Sequence, residues 1–145
     1  MMVNLVKLCV GIDTVDELMR VQASRREQQV KRGGERLNIH ITRNRPKRAA
    51  EIIQNGSLFW VMRRQIRARQ LILRIEEVND AEGRKRCGLI LDSSIIRTEP
   101  KPCRPFQGWR YMELADSPPD LSLTAQSRVE MPIEMQEELR ALGLL

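Results

Sequence analysis

Apolar and polar positions alternate along several stretches of this chain and follow a helical period along only a few. The first stretch, VNLVKLCV (Val3 to Val10), alternates loosely, is rich in branched residues and predicts a strand broken at Gly11. Thr14 and Glu17 then have the Thr-x-x-Glu spacing of a capping box, which satisfies two orphan amides at a helix start. The helix packs Val15, Leu18, Met19 and Val21. Its second half, SRREQQVKR, is almost wholly polar and projects into solvent until Gly33-Gly34 ends it. RLNIHIT (Arg36 to Thr42) alternates most cleanly, with Leu37, Ile39 and Ile41 on one face and Asn38, His40 and Thr42 on the other.

Pro46 suits a first helical position; Ala49, Ala50, Ile52 and Ile53 supply an apolar stripe, and Asn55-Gly56 closes a second helix. SLFWVM (Ser57 to Met62) reads as a strand, and IRARQLILRIEEV (Ile66 to Val78) as a long one. Ile66, Gln70 and Leu73 would also fit a helix, but alternation on either side of Gln70 favours a strand with a bulge there. NDAEG is a turn and CGLILD (Cys87 to Asp92) a buried strand. Ser93 to Pro105 reads as irregular, and SPPDLS as a proline-marked loop. PIEMQEELRALG predicts a last helix from Pro132 to Gly143, with Met135, Leu139 and Leu142 along one face. The prediction is one α+β domain over residues 1–121, a compact mixed, mostly antiparallel sheet or small half-barrel with two or three helices. Residues 122–145 supply a linker and an acidic amphipathic helix.

Composition narrows the class. With 145 residues and 41% hydrophobic positions the chain can bury one core, and with only 3% aromatics that core must rest on Leu, Ile, Val and Met. Cys9, Cys87 and Cys103 lie far apart without a CxxC pair, the usage of a reducing cytoplasm. The start, MMVNLVKLCVGID, lacks the basic, apolar and small-residue regions of a signal peptide, and no stretch approaches the roughly 20 apolar residues of a membrane helix. A cytoplasmic protein with no membrane partner is expected. The net charge of +6 hides a split: 23 basic and 12 acidic residues up to Arg110, then 2 basic and 7 acidic. A basic body with an acidic tail suggests a polyanionic partner.

The candidate chemistry is cationic. In RNRPKR, Arg43, Arg45, Lys47 and Arg48 crowd a helix start, where a cation loses roughly 0.3–1 kcal/mol unless an anion comes to it. Farther on, Arg67 and Arg69 of a strand would point to one side about 7 Å apart, close to successive phosphates of one strand. From Arg43 to Arg74 there are nine basic residues against one acid, and arginine dominates, which favours planar bidentate contacts. RPFQGWRY (Arg104 to Tyr111) adds Arg104 and Arg110 beside Trp109 and Tyr111, on which bases would gain roughly 1–3 kcal/mol each by stacking, while Gln107 could read a base edge. Phe106 and Trp109 could instead plug the end of the core. Catalytic and metal readings are weaker. His40, the only histidine, has no His or Cys at ligand spacing and reads as half-exposed. Cys103 lies between Lys101 and Arg104 without a base in sequence, and Asp92-Ser93-Ser94 is an ordinary turn. No nucleotide-binding or nucleophile motif appears, so no cofactor, metal or catalytic residue is expected.

Several stretches carry a family resemblance: MVNLVKLCVGI, RNRPKRAAEI, GSLFWV, ARQLIL, LILD, RTEPKP and, most specifically, RPFQGWRY with its trailing DSPPDL. With them the chain resembles an uncharacterised bacterial family, domain of unknown function 1489, over Met2 to Leu121. The family has no assigned activity, so the resemblance implies none. Where its pattern has Lys-Gly after the tryptophan of LFWV, this chain has Arg63-Arg64, so no glycine marks a turn at residue 64. A fainter likeness, in element order alone, is to the RNA-binding pseudouridine-synthase-and-archaeosine-transglycosylase-like (PUA-like) barrels.

The first expectation for function is a noncatalytic module binding RNA or another single strand through this arginine-rich face. The second is an interaction module, with the acidic C-terminal helix docking on its own basic face or on a neighbour's, to give an autoinhibited state or a homodimer. The third is a small enzyme acting on a nucleoside or phosphorylated metabolite, with Asp92, Cys103 or His40 in a basic pocket.

Overall fold

One 15-residue strand, β4 (Gln65–Asn79), organises the molecule. Its first half pairs antiparallel with β3 (Ser57–Met62) on one side and with β6 (Ile96–Pro102) on the other; its second half pairs with β5 (Lys85–Leu91). Among the described residues the remaining strands are β1 (Val3–Leu8), β2 (Asn38–Thr42) and β7 (Trp109–Glu113), and the helices are α1 (Val15–Lys31), a 3-10 turn at Leu114–Asp116 and the single turn α2 (Ala49–Ile52), which begins after Pro46 and not at it. Together they make a seven-stranded, mostly antiparallel α+β sheet in the order β2-β5-β4-β3-β1-β7, with β6 beside β4 and one parallel pair, β1 with β3. The computed structural model describes residues 3–121, so the linker and the expected helix at 132–143 lie outside the described residues.

The sheet buries side chains on both faces. On one, Val3, Leu5, Leu58, Trp60, Met62, Ala68, Ile72, Leu89 and Leu91 pack beneath Val15 and Leu18 of α1. On the other, Val6, Phe59, Val61, Ile66 and Met112 form a smaller cluster with Phe106. Thr14 caps α1, its hydroxyl accepting the Glu17 amide at 3.1 Å, while the Glu17 carboxylate returns to the Asp13 amide at 3.4 Å and not to that of Thr14. Met19, however, is 36% exposed, and the third buried residue of α1 is Gln22.

Four further local expectations are corrected. The single bulge expected near Gln70 is instead a pair of register shifts, one between Ile66 and Ala68 and one between Ile72 and Arg74. The first lets Ile66 join the smaller cluster while Ala68 joins the larger. Ser93 to Pro105 is not irregular, because β6 runs through it. Pro100 and Pro102 are tolerated since β6 is bonded to one strand alone, and its free edge takes backbone bonds from the DSPPDL segment, Glu99 N–H to Pro119 O and Leu121 N–H to Arg97 O, both 2.9 Å. Arg63 and Arg64 do form a turn, with φ of 50° and 64°, although neither is glycine.

The fourth correction concerns the cleanest alternation. In β2 the polar residues face the core and the aliphatic ones face out: Asn38 and Thr42 are buried, whereas Ile41 is 50% exposed. Register is the cause, since Asn38, His40 and Thr42 pair with Leu91, Leu89 and Cys87, all members of the larger cluster. An inward polar face is tolerated only because each of its members except His40 finds a hydrogen-bond partner.

Candidate functional site

The segment Arg43–Arg48 leaves β2, at one end of the strand order, and is held by side chains of β7, at the other. Trp109 donates its indole N–H to the Asn44 carbonyl at 3.0 Å, and Tyr111 Oη accepts the Arg48 backbone N–H at 3.1 Å. The two rings meet edge to face at 5.0 Å, and Trp109 is half-buried against the larger cluster. RPFQGWRY therefore collects its aromatics at a clasp: two of them fix the basic loop, and Phe106 packs beneath Arg110, whose guanidinium stands 4.3 Å from the ring centre.

The cations sort by what they face. Of the nine between Arg43 and Arg74, four are in ion pairs: Arg48 with Glu51 and Glu113, Arg63 with Asp13, Arg69 with Asp120, and Arg74 with Glu76. Arg43, Arg45, Lys47, Arg64 and Arg67 have no ion pair among the described residues. Arg45 donates to the Ile75 carbonyl at 3.4 Å, and Arg67 to the Gln65 side-chain oxygen at 2.6 Å. Arg104 and Gln107 are exposed in the loop before β7.

The expected arginine track is divided between the two faces of the sheet. Arg69 lies opposite Phe59, and Arg110 opposite Val6, on the side of the smaller cluster. Trp109 and Tyr111 lie opposite Lys7 and Leu5, on the side of the larger one. The structure thus joins Arg43, Arg45, Lys47 and Arg48 with Trp109 and Tyr111, and separates them from Arg69 and Arg110.

Beside this clasp is a feature that no motif announces. Lys7 stands between Trp60 and Trp109 as their register neighbour in adjoining strands, on the face that α1 covers. From there a cleft of about 210 Å³ opens between α1, the end of β1 and β2, with Trp60, His40, Gln22 and Arg25 among its walls. Its back is a network centred on the fully buried Gln70, whose own four hydrogen-bonding positions are all filled. The Gln70 Oε1 accepts Trp60 Nε1 at 2.9 Å and Gln22 Nε2 at 2.7 Å, while its Nε2 donates to Gln22 Oε1 at 2.7 Å and to the Asp92 carbonyl at 3.0 Å. Asn38 extends it, donating to the same carbonyl at 3.3 Å and accepting from Arg26 at 2.9 Å.

His40 meets Trp60 edge to face at 5.0 Å, and its Nε2 is shielded from solvent without a hydrogen-bond partner. Burial, and then the charges of Lys7 and Arg25, push the imidazole down to about 4, so it is neutral at pH 7. Burial also pushes the Cys9 thiol up to about 11, against the opposing pull of Arg25. Among the described residues no group of three or more His, Cys, Asp or Glu side chains is placed to hold a metal.

The family model described as a protein of unknown function, DUF1489, matches residues 5–145. The chain belongs to the DUF1489 family. The match includes the tail beyond Leu121, so the resemblance extends farther than the recognisable stretches indicated. No curated protein and no solved structure matches this DUF1489 chain.

Lys7, Gln22, Arg25 and Gln70 carry no motif in the sequence, and nothing there places His40 and Trp60 in one site. A glutamine among apolar residues at Gln22 and again at Gln70 was the available signal, because a buried carboxamide needs partners and so marks a network.

Proposed function

We propose that this DUF1489 chain is a noncatalytic module that binds single-stranded nucleic acid, RNA foremost, through the loop Arg43–Arg48. The observation that carries the reading is the clasp. Trp109 and Tyr111 hold the loop backbone at Asn44 and Arg48, while Arg43, Arg45 and Lys47 are exposed and have no ion pair among the described residues. A basic loop fixed in advance loses less entropy on meeting phosphates than a free one. In this reading the aromatics serve the loop first, and Tyr111, 37% exposed, offers a stacking edge second. Arg48 and Arg69, neutralised inside the molecule, contribute shape rather than phosphate contacts.

The test is a titration of the protein with labelled single-stranded RNA and DNA at three salt concentrations. Arg45→Ala/Lys47→Ala should weaken binding about tenfold or more for every sequence. It should also flatten the salt dependence by roughly 0.7 log unit for each phosphate that is no longer neutralised. Equal affinity of the double variant and the wild type would remove the phosphate role from the loop.

A further inference from the structure

We propose that the cleft beneath α1 binds a small organic phosphate with a planar body, of the class of a nucleoside monophosphate, with Lys7 and Arg25 holding the phosphate and the body lying between α1 and β2. This goes beyond strand binding by the loop and stands on the cleft alone.

Three features specify the ligand. The first is charge: the cleft walls carry two cations, Lys7 and Arg25, and no carboxylate, and neither cation has an ion pair among the described residues. Elsewhere the protein pairs its arginines readily, Arg48, Arg69 and Arg86 with acids at 3.4 Å or less. Two unpaired cations around a concave, partly apolar space favour an anionic group.

The second is size and wall chemistry. At about 210 Å³ the cleft is far larger than the ~10–15 Å³ that a single water needs. That suits a one- or two-ring body, with its phosphate at the mouth. The walls mix aliphatic side chains, such as Leu18 and Leu91, with the carboxamides Gln22 and Asn38 and the imidazole of His40. Such a lining suits a flat heterocycle with donors and acceptors on its edge better than a hydrocarbon or a bare ion.

The third is preorganisation. Gln22 is locked by its reciprocal pair with Gln70 and retains one amide hydrogen, and Asn38 is fixed between Arg26 and the Asp92 carbonyl. Trp60 is oriented by Gln70. These groups need not reorganise to meet a ligand. Lys7 and Arg25 also act on the interior of the cleft, since both disfavour a charged His40 and favour a charged Cys9 there, as a positive field does.

His40 is the only histidine, so its imidazole signals in an NMR spectrum need no assignment by mutation. The probes are the four ribonucleoside 5′-monophosphates, the matching nucleosides and inorganic phosphate, each added to the full chain while the His40 signals are followed. At least one monophosphate should shift them saturably and bind about tenfold or more tighter than its nucleoside or phosphate alone. Lys7→Ala and Arg25→Ala should each weaken that binding about tenfold, whereas Lys31→Ala, an exposed charge at the far end of α1, should leave it unchanged.

A 5′-phosphorylated tetranucleotide settles the source. Competition with the mononucleotide assigns the cleft to the end of a strand, and no competition assigns it to a free nucleotide. The inference is overturned if no monophosphate moves the His40 signals, if a nucleoside binds as well as its monophosphate, or if both cation variants bind like the wild type. Since none of these outcomes involves Arg45 or Lys47, failure here and failure of the loop as a strand-binding element can be told apart.

Discussion

The two faces of the sheet handle polar side chains in opposite ways. On the face of the smaller cluster, Arg69 is clamped by both oxygens of Asp120, at 2.7 and 2.9 Å, and by the Ser57 hydroxyl at 2.9 Å. Asn4 spans the same region, accepting the Ser57 amide at 2.8 Å and donating to the Ser117 hydroxyl at 2.9 Å. Every polar group named there is answered from within the molecule, and the effect is to tie DSPPDL against β1, β3 and β4. On the face under α1 the satisfied part, centred on Gln70, lies at the back, while Lys7, Arg25 and the His40 Nε2 remain without ion pair or hydrogen bond among the described residues. One face spends its polar chemistry on structure. The other holds some of it ready, and a charge left unpaired beside an ordered network is the better guide to a binding site.

The largest effect that sharpens this comparison should come from Gln70→Ala. The substitution strands the Trp60 indole N–H, the Gln22 amide and one bond to the Asp92 carbonyl, and opens a void among buried side chains. The expected loss is about 3–5 kcal/mol of unfolding free energy in a urea or guanidinium titration, with a changed tryptophan emission. A loss below about 1 kcal/mol would mean that the network does not hold the back of the cleft.

Next in size is a pH effect. Unfolded, His40 should take up a proton near 6.5, but in the folded protein burial and the charges of Lys7 and Arg25 delay this to about 4. Between those values the unfolded chain binds more protons. His40 therefore costs no stability above about pH 6.5 and progressively destabilises the fold as pH falls toward 4. At about 1.4 kcal/mol per pH unit the decline approaches roughly 3 kcal/mol, less whatever local opening relieves. In His40→Phe, which keeps a ring against Trp60, that slope should flatten between pH 6.5 and 4. Parallel stability curves for variant and wild type would show that the cleft is open enough to solvate an imidazolium.

Much of the sheet was legible because most of its strands are short, branched and bounded by turn residues, as in SLFWVM and CGLILD. The misread parts share a cause. Periodicity reports which residues lie on the same face of a strand but not which face a neighbouring strand will bury. Pairing of β2 with Leu89 and Leu91 turned His40 inward, and pairing of β6 with β4 made a strand of a proline-bearing segment. Arg63-Arg64 shows the converse limit: closure of a two-residue hairpin imposes positive φ even where no glycine is present to announce it. The candidate site was legible in its charges and not in its walls. RNRPKR and RPFQGWRY stand out as motifs and prove to be in contact, whereas Lys7, Gln22, Arg25 and Gln70 acquire meaning only through tertiary neighbours.

The smallest predicted effect concerns the satisfied face. Asp120→Asn removes the charge from the clamp on Arg69 while keeping an oxygen in place, so Arg69 should remain partly bonded through the amide and through Ser57. Asp120 is 47% exposed at its side chain, so solvent screens much of the pair's attraction, and the cost should be about 1 kcal/mol in thermal or denaturant unfolding. Arg69 holds the Asp120 carboxyl below its ordinary value of 3.8. The pair's contribution is therefore complete above the ordinary carboxylate range and is lost as pH falls through the depressed value. The difference between variant and wild type should vanish in strong acid. If Asp120→Asn instead gained affinity for single-stranded RNA, the freed Arg69 would be acting as a phosphate contact. The division of labour between the two faces would then be a matter of which cations are masked, not of which face binds.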